Sequence, residues 1–508
     1  MTQKYIEKIL SARVYDVAIE SPLDYAKRLS SRLDNKILLK REDLQPVFSF
    51  KLRGAYNKLY QLMRKSEVKG VIAASAGNHA QGLALAASEM GVKATIVMPK
   101  TTPRIKVDAV RSYGAKAVLV GDTFDEASVY AHELSEKENL AFIHPYDDPD
   151  VIAGQGTVAV EILRQYPEDI DAIFIPVGGG GLIAGMAAFI KYLRPEVKVI
   201  GVEPADAACF AAALEKNRRV VLNHVGLFAD GVAVKQVGRE TWRVAKQVVD
   251  EVITVSSDEI CGAIKDIFDD TRSIMEPAGA LAVAGIKKYV AEHNISKQTL
   301  IGINSGANMN FDRLRHVAER AELGEQREGL IGVTIPEEPG SFLRFCKLIG
   351  KKGITEFNYR YSDASQAHVF AGIQLADGIP ELNELEEKLT AKGYSVFGMT
   401  DNEMAKLHVR YMVGGHANNI ENEVLYRFEF PERPGALMDF LSHIGKRWNI
   451  SLFHYRNHGA AFGRVLVGLQ IPAGDRKGVK NILDELGYNW WDESDNPAYQ
   501  MFLGPAEK

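Results

Sequence analysis

Cysteine is scarce in this chain of 508 residues, which contains Cys209, Cys261 and Cys346 and no others. The three cysteines are far apart in the sequence, form no CxxC pair and have no histidine pattern beside them. Disulfide frameworks and zinc sites both need paired or clustered ligands. The sequence therefore predicts neither a disulfide framework nor a metal site, and it favours a reducing, cytoplasmic location.

A basic block is also missing. The net charge is -5, and the 61 Lys and Arg residues are spread among 66 Asp and Glu residues. Binding to nucleic acid or to an anionic membrane surface usually leaves a basic patch in the sequence. The opening MTQKYIEKILSARVYD lacks the continuous apolar core of a signal peptide. We therefore expect a small-molecule partner, no nucleic acid and no membrane.

One uncharged run reaches membrane-spanning length. Residues 172–190, AIFIPVGGGGLIAGMAAFI, contain 19 positions without a charge. Four consecutive glycines and Pro176 interrupt the run, and neither residue type suits the middle of a spanning helix. We interpret it as a short buried strand, a turn and the start of a helix.

Short apolar runs alternate with amphipathic segments from about residue 35 to residue 310. Such runs read as buried strands and the stretches between most of them as helices. The predicted strands are KILLK, VIAAS, KATIVMP, AKAVLVG, LAFIHP, AIFIPVG, VKVIGVEP and TLIGINSG. This alternation predicts an α/β fold with a mainly parallel sheet, whose ligands bind beyond the carboxyl ends of the strands.

The C-terminal part contains an internal repeat at an offset of 95 or 96 residues. PEEPGSFLRF at 336–345 recurs as PERPGALMDF at 431–440, ITEFNYRY as ISLFHYRN, and VFAGIQL as VLVGLQI. Each copy reads strand, helix, strand, strand, helix, strand, which is the ferredoxin-like order. The sequence therefore predicts a catalytic domain at 1–320, made of two α/β subdomains, and two small α+β modules at 327–400 and 420–504.

A glycine loop follows one of the predicted strands. VGGGGL at 177–182 lies between a strand and a helix, where exposed backbone N–H groups and the helix N-terminus suit a dianionic phosphate. The loop lacks the GKS or GKT ending of a P-loop, and its spacing is not GxGxxG. A phosphate other than that of a nucleotide is therefore favoured, and a merely tight turn is the alternative.

A second strand ends in SAGNHAQG at 75–82. Its Ser75, Ala76, Gly77, Asn78 and His79 stand at the predicted start of a helix, where N–H donors can receive a carboxylate and the Asn78 amide can bond a ring oxygen. Plain helix capping by Ser75 or Asn78 is the alternative.

Three further residues carry chemistry in context. Lys51 in SFKLRGA is either a surface charge or a reactive amine, since most lysines are solvated. Ser305 in INSGAN can meet a heterocyclic nitrogen or simply form a turn. Glu276 in MEPAGA precedes a proline and a helix, where an acid is also favoured by the helix dipole.

A phosphate cradle, an amine, a carboxylate loop and a partner for a ring nitrogen are together what pyridoxal 5′-phosphate and an amino acid require. With SFKLRGA, SAGNHAQG, VGGGGL, EPAGA and NSGAN in this order, the chain resembles the fold-type II pyridoxal-phosphate enzymes, whose fold is like that of the tryptophan synthase β chain. With its duplicated tail it most resembles the biosynthetic threonine deaminase (threonine ammonia-lyase) family, with its two C-terminal ACT-like regulatory modules.

The resemblance implies a role for each motif. Lys51 forms the Schiff base with the cofactor and acts as general base at the substrate Cα, Phe50 packs against the cofactor, and Asn78 contacts its ring oxygen. The phosphate is held by Gly178, Gly179, Gly180, Gly181 and Leu182. Ser305 meets the pyridine nitrogen, residues 75–79 hold the substrate carboxylate, and Glu276 is a weaker candidate for substrate contact.

The resemblance also implies a reaction and its control. L-threonine, and also L-serine, is deaminated, giving 2-oxobutanoate and ammonia from threonine in the first step of isoleucine biosynthesis. Isoleucine inhibits through the tail, valine is a candidate for opposing it, and the protein forms a homotetramer. Tyr359 and Tyr455, which are equivalent in the two copies, are candidate effector contacts, with packing in the core as the alternative. A serine dehydratase or racemase of the same fold is the alternative, although Ala76 stands where racemases carry a serine. A non-catalytic amino-acid sensor is a further alternative.

Overall fold

The computed structural model describes residues 2–504 except 351, 362–364, 413, 418–419, 432–435, 445–446 and 457–461. The chain divides into two compact units, Met1–Gly324 and Glu325–Lys508. The predicted boundary at residue 320 lies four residues before this division.

The first unit alternates strands and helices along most of its length. Its strands are β1 (Leu23–Tyr25), β2 (Lys36–Arg41), β3 (Val71–Ala74), β4 (Ala94–Met98), β5 (Lys116–Leu119), β6 (Ala141–Phe142), β7 (Ala172–Pro176), β8 (Lys198–Pro204), β9 (Glu251–Val255) and β10 (Thr299–Asn304). Its helices are α1 (Thr2–Leu10), α2 (Lys27–Leu33), α3 (Lys51–Met63), α4 (Asn78–Glu89), α5 (Arg104–Ser112), α6 (Phe124–Glu138), α7 (Pro149–Gln165), α8 (Gly181–Leu193), α9 (Cys209–Glu215), α10 (Arg239–Ala245), α11 (Ser257–Thr271), α12 (Pro277–His293) and α13 (Arg313–Gly324), with short 3-10 helices at Glu42–Leu44, Ala205–Ala207 and Asp230–Val232.

These strands form two sheets, both mainly parallel. The larger sheet has the order β1-β2-β10-β7-β8-β9, in which β1 alone runs antiparallel, and the smaller has the order β5-β4-β3-β6. All eight predicted strands are confirmed, whereas β1 and β9 were missed. Apolar runs identify strands but not their partners, so the division between sheets was beyond the pattern.

The uncharged run at 172–190 is β7, a glycine turn and the first part of α8, as predicted. Gly180 takes a φ of +91° at the turn, a conformation that side chains with a Cβ rarely adopt. In the part of the chain that the structure describes, no helix is long and apolar enough to cross a membrane. Cys209, Cys261 and Cys346 are buried and free, so the prediction of no disulfides is confirmed.

The second unit contains the repeat. Its first copy is β11 (Glu328–Pro336), α14 (Ser341–Ile349), β12 (Ile354–Arg360), β13 (Gln366–Gln374), α15 (Ile379–Ala391) and β14 (Ser395–Gly398). A linker with α16 (Glu403–Leu407) and a 3-10 turn at Val409–Tyr411 leads to the second copy. That copy is β15 (Glu423–Pro431), α17 (Ala436–Ile444), β16 (Asn449–Arg456), β17 (Phe462–Gln470), α18 (Arg476–Glu485) and β18 (Asn489–Asp492), followed by α19 (Pro497–Phe502). The predicted βαββαβ order is confirmed in both copies.

Both copies share one antiparallel sheet. The strand order is β14-β11-β13-β12-β16-β17-β15-β18, and β12 pairs with β16 so that Phe357 lies opposite Tyr455 and Tyr359 opposite Phe453. The described strands of each copy therefore meet edge to edge through equivalent strands. The two modules form a single hydrophobic core rather than two separate ones.

Candidate active site

The motifs after β3, β6, β7 and β10 meet at one cavity in the first unit. Parallel strands place their carboxyl ends at the same edge of a sheet, which is where such cavities form. The described lining residues are Phe50, Lys51, Asn78, Tyr146, Pro176, Gly178, Gly179, Gly180, Gly181, Leu182, Gly231, Val232, Glu276, Ala278 and Ser305. Lys51, the glycine loop, Asn78, Glu276 and Ser305, all singled out in the sequence, therefore share one pocket.

The glycine loop is too closely packed for side chains. A Cβ on Gly179 would lie 2.3 Å from the ring of Tyr146, and one on Gly178 would lie 2.9 Å from the backbone of Val232. The loop ends at the first turn of α8, whose N–H groups have no partner within the helix. The backbone itself therefore forms this wall of the cavity, as a phosphate cradle requires.

Lys51 is the first residue of α3 and points into the cavity. Its Nζ donates to the carbonyl of Pro145 at 3.3 Å and lies 5.3 Å from the centre of the Phe50 ring. Burial lowers the pKa of Lys51 to about 8, although Glu276 opposes the shift. A neutral, nucleophilic amine is therefore accessible close to neutral pH.

Two glycines bring other helices against α3. A Cβ on Gly82 of α4 would lie 2.9 Å from the backbone nitrogen of Leu52, and one on Gly154 of α7 would lie 2.6 Å from the carbonyl oxygen of Arg53. Backbone therefore packs on backbone around the turn that carries Lys51, which restricts its movement.

The segment before Lys51 is tied to the loop after β10. Ser49 forms a bridge with Gly306, and the N–H of Phe50 donates to the carbonyl of Ser305 at 3.3 Å. The Ser305 hydroxyl donates to the carbonyl of Ala278 at 3.3 Å. Lys51 and Ser305 therefore lie on neighbouring segments of backbone in the pocket.

Asn78 and Glu276 form a polar pair inside the pocket. The Asn78 Nδ2 donates to Oε1 of Glu276 at 2.5 Å, and its Oδ1 accepts from Asn308 at 2.7 Å. Burial raises the pKa of Glu276 to about 7, Asp230 adds to the rise, and the Asn78 amide opposes it. Near neutral pH this carboxyl group can therefore accept or release a proton.

The rest of the 75–79 loop lies at the start of α4. The N–H of Gly77 donates to Oγ of Ser75 at 3.3 Å, and no atom lies within 4 Å of a Cβ placed on Gly77. The His79 ring turns away to the carbonyl of Ile143 at 2.9 Å, and burial lowers the pKa of His79 to about 3. The side chain of His79 is thus structural, and only its backbone N–H remains available to a carboxylate.

Five of the described lining residues were not among the predicted site residues: Tyr146, Pro176, Gly231, Val232 and Ala278. Tyr146 follows β6 in HPYDDP, a polar and aromatic motif at the end of a strand. The sequence pattern identified the strand but not this motif. The ring of Tyr146 packs on the glycine loop and meets His144 edge to face, with 4.6 Å between ring centres. Gly231 and Val232 come from the short 3-10 helix at Asp230–Val232, whose sequence carries no comparable motif.

Four buried charged side chains form a network on the side of α3 that faces away from the cavity. The Arg53 guanidinium donates to Glu42 at 2.8 Å and to Glu161 at 2.6 Å, and Lys40 donates to Glu161 at 2.6 Å, all with no exposed side-chain surface. Arg53 stands two residues after Lys51, which on a helix places the two side chains on nearly opposite sides. The network therefore fixes the helix from the side opposite the cavity.

The chemistry of the pocket fits pyridoxal 5′-phosphate. The glycine wall provides N–H donors for a phosphate, Lys51 provides an amine for the aldehyde, and Asn78 and Ser305 provide polar contacts for a ring. In the described part of the chain, no group of three or more His, Cys, Asp or Glu side chains is arranged to hold a metal ion.

The two tyrosines proposed as effector contacts lie in the second unit. The Tyr359 hydroxyl donates to Glu337, whose other oxygen accepts from Asn449 at 2.7 Å, and burial raises the pKa of Tyr359. Tyr359 and Tyr455 both belong to the core under the helices of the sheet. Glu337 therefore links strand β12 of the first copy to strand β16 of the second.

Comparison with known families gives two matches. The family described as "Pyridoxal-phosphate dependent enzyme" matches residues 14–306, and the family described as "C-terminal regulatory domain of Threonine dehydratase" matches residues 319–409 and 414–503. Together the two families account for both units.

Individual relatives agree. The chain is 55% identical over 502 residues, 98% of its length and 99% of the relative's, to the "L-threonine dehydratase biosynthetic IlvA" of Burkholderia multivorans. Among solved structures, the processed form of threonine deaminase isoform 2 from Solanum lycopersicum aligns with a TM-score of 0.62 and 53% identity, over 63% of this chain and 88% of that one. Maize serine racemase aligns with a TM-score of 0.57 and 31% identity, over 62% of this chain and 96% of that one.

Proposed function

The chain belongs to the pyridoxal-phosphate dependent enzymes and carries the C-terminal regulatory domain of threonine dehydratase, and from this premise we propose that it deaminates L-threonine to 2-oxobutanoate and ammonia. This reaction is the first step of isoleucine biosynthesis. The observation that carries the proposal is the single cavity in which Lys51, the glycine loop and Ser305 meet.

When bound, pyridoxal 5′-phosphate supplies an aldehyde for amines and an electron-withdrawing ring that stabilises negative charge at the substrate Cα. In our proposal Gly178 to Leu182 hold the phosphate, Asn78 contacts the ring oxygen and Ser305 the ring nitrogen. The Ser305 hydroxyl, unlike a carboxylate, does not favour a proton on that nitrogen. This moderates electron withdrawal and favours elimination over transamination.

We assign the proton transfer at the substrate to Lys51. Its amine is buried, has a pKa lowered to about 8 and is held by a single backbone carbonyl, so it can take the Cα proton when neutral. The N–H groups of residues 75–79 hold the substrate carboxylate, and the closely packed walls exclude water from the reacting atoms. Glu276 sets the charge beside the amine.

Regulation belongs to the second unit in our proposal. Isoleucine inhibits by binding the repeated modules and valine opposes it, because each ligand favours a different state of the same shared sheet. The Glu337 link between Tyr359 and Asn449 supports Tyr359, and by the repeat Tyr455, as residues that sense an effector. We also propose a homotetramer and, from the three free cysteines, a cytoplasmic location.

The experiment compares kcat/KM for L-threonine and L-serine on the purified holoenzyme, with a parallel assay for D-serine. We expect threonine to be preferred and D-serine to be absent. A single methyl group distinguishes the substrates, which limits the discrimination to about 10- to 200-fold. Serine preference, or strong D-serine formation, would favour the serine dehydratase or racemase alternative. Absence of any turnover by a yellow, cofactor-loaded protein would overturn the proposal.

A further inference from the structure

Behind the glycine loop lies a hydroxyl group that the reaction itself does not use. Thr241, in the first turn of α10, is fully buried, and its Oγ1 donates to the carbonyl oxygen of Gly179 at 2.7 Å. The N–H of Gly238 donates to the same oxygen at 3.2 Å. Two donors from one short segment therefore hold a single carbonyl of the loop.

The position of this carbonyl decides where the next N–H points. In a trans peptide the C=O of Gly179 and the N–H of Gly180 point in opposite directions. Gly178, Gly179, Gly180 and Gly181 line the cavity, whereas Thr241 is not one of the described lining residues. Because Thr241 and Gly238 hold the carbonyl at the back of the loop, the Gly180 N–H points away from these two residues.

Gly180 packs closely against Thr241, which leaves the peptide between Gly179 and Gly180 little room to rotate. Its φ is +91°, and a Cβ on Gly180 would lie 3.1 Å from both Cβ and Oγ1 of Thr241. Thr241 therefore contacts the back of this peptide, and the loop cannot turn its carbonyl inward without breaking both hydrogen bonds.

Thr241 is itself fixed by the loop after β6. One carboxylate oxygen of Asp147 accepts from the N–H of Glu240 at 2.7 Å and from the N–H of Thr241 at 3.2 Å, and the other accepts from the N–H of Arg239 at 2.8 Å. These N–H groups belong to the first turn of α10, whose donors have no partners within the helix. The backbone that carries the Thr241 hydroxyl is thus held in place by Asp147.

We propose that Thr241 is a positioning residue for phosphate binding, which orients the Gly180 N–H toward the cofactor phosphate through its hydrogen bond to the Gly179 carbonyl. This inference rests on the proposed cofactor role of the glycine loop and extends it to a residue that no motif identified. A preorganised N–H donor binds an anion more strongly than one that must first rotate into place.

The test uses the full chain and two substitutions, the isosteric Thr241→Val, which removes the hydroxyl, and Thr241→Ser, which retains the hydroxyl and removes the methyl group. Each protein is stripped of cofactor and titrated by fluorescence with pyridoxal 5′-phosphate and, separately, with pyridoxal, which lacks the phosphate. We expect Thr241→Val to raise the Kd for pyridoxal 5′-phosphate about 3- to 10-fold, as one hydrogen bond warrants, and to leave the Kd for pyridoxal unchanged. Thr241→Ser stays within about 2-fold of the parent protein for both ligands.

A matched control is Thr271→Val, because the Thr271 hydroxyl also donates to a backbone carbonyl at 2.7 Å, that of Ile267, and lies outside the cavity. It is expected to alter neither Kd. If Thr241→Val fails to fold, Thr241→Ala replaces it, and the ratio of the two Kd values is read in the same way. Unchanged binding of pyridoxal 5′-phosphate, or equal weakening of both ligands, overturns the role of Thr241. A parent protein that binds neither ligand removes the proposed function as well.

Discussion

The amide of Asn78 donates to the carboxylate of Glu276 at 2.5 Å, across 198 residues of sequence and inside the cavity that Lys51 enters. Glu276 raises the pKa of Lys51, whereas burial, the larger effect, lowers it to about 8. The acid and the amine therefore influence each other, and a change in one alters the protonation of the other.

Replacing Glu276 by glutamine tests this coupling directly. Removing the negative charge removes a stabilising partner of the Lys51 ammonium, so the pKa of Lys51 falls below about 8. At pH 7 about one tenth of the parent amine is neutral, and capture of pyridoxal 5′-phosphate by the cofactor-free chain should be up to about 10-fold faster in Glu276→Gln. Stopped-flow capture rates across pH measure the inflection, and exposed Glu292→Gln serves as the control. An inflection that stays at the parent pH would show that the two groups are independent.

The same substitution changes the dependence of stability on pH. The pKa of Glu276 is raised in the folded protein from 4.5 to about 7, so its contribution to stability is complete below pH 4.5 and is lost as the pH rises through 7. Glutamine does not titrate. Melting temperatures of the cofactor-free proteins should therefore diverge between pH 5 and pH 8 in favour of Glu276→Gln, by at most about 3 kcal/mol of unfolding free energy. Parallel curves over this range would contradict the assigned pKa.

Gly179→Ala tests the close packing of the glycine loop. The added Cβ would lie 2.3 Å from the Tyr146 ring, so the loop or the ring must move. We expect the Kd for pyridoxal 5′-phosphate to rise at least about 10-fold, since a displaced loop loses several N–H contacts. Gly178 is not a suitable control, whereas Gly478→Ala is, because no atom lies within 4 Å of its Cβ. Adding Tyr146→Ala should recover part of the affinity, and failure to do so would place the defect in the loop backbone rather than in the clash.

Motifs at strand ends were accessible to sequence reasoning because the chemistry is local there. Glycine repeats, and asparagine or serine after a buried strand, carry their own spacing, and each parallel sheet brings its motifs to its carboxyl edge. Thr241 was not accessible for the opposite reason. Thr241 reaches the glycine loop across 62 residues of sequence, and nothing in the letters around it distinguishes it from an ordinary helical threonine.

The pairing of the strands could not be predicted from the sequence pattern either. The period of apolar residues indicates that a strand is present and buried, but not which strand it pairs with. It could not show that β6 and β7, which are consecutive in the chain, belong to different sheets. The repeat predicted two modules correctly. Their union through β12 and β16 depends on edge pairing, which a repeat does not specify.

Tyr359→Phe tests whether the link between the two copies carries the effector response. The substitution removes the hydroxyl that donates to Glu337 and leaves the ring in the core. We expect threonine turnover without isoleucine to be unchanged and the isoleucine concentration for half inhibition to rise several-fold. Tyr426→Phe, another buried tyrosine of the shared sheet, is the control. If Tyr359→Phe and the parent protein respond equally to isoleucine, Tyr359 is a packing residue, which is the other interpretation of its burial.

The buried network behind α3 predicts an unusual order of stability among substitutions. Arg53→Met leaves Glu42 and Glu161 without the guanidinium that neutralises them, and a buried charge stripped of its partner destabilises by about 3 to 5 kcal/mol. Arg53→Met combined with Glu42→Gln restores the charge balance, because Lys40 still pairs with Glu161 at 2.6 Å. The double variant should therefore melt at a higher temperature than the single one, although it has lost more of the parent's contacts.

Removal of the exposed Arg13, by Arg13→Met, should leave the melting temperature unchanged, since its partner Asp16 stays in contact with water. The network fixes the side of α3 opposite Lys51, so the double variant should fold and still show a lower kcat. A rotation of α3 by about 10° would displace the Lys51 amine by about 1 Å, which is enough to lower kcat by up to about 100-fold. A double variant that is less stable than Arg53→Met would mean that packing, and not charge balance, dominates this region.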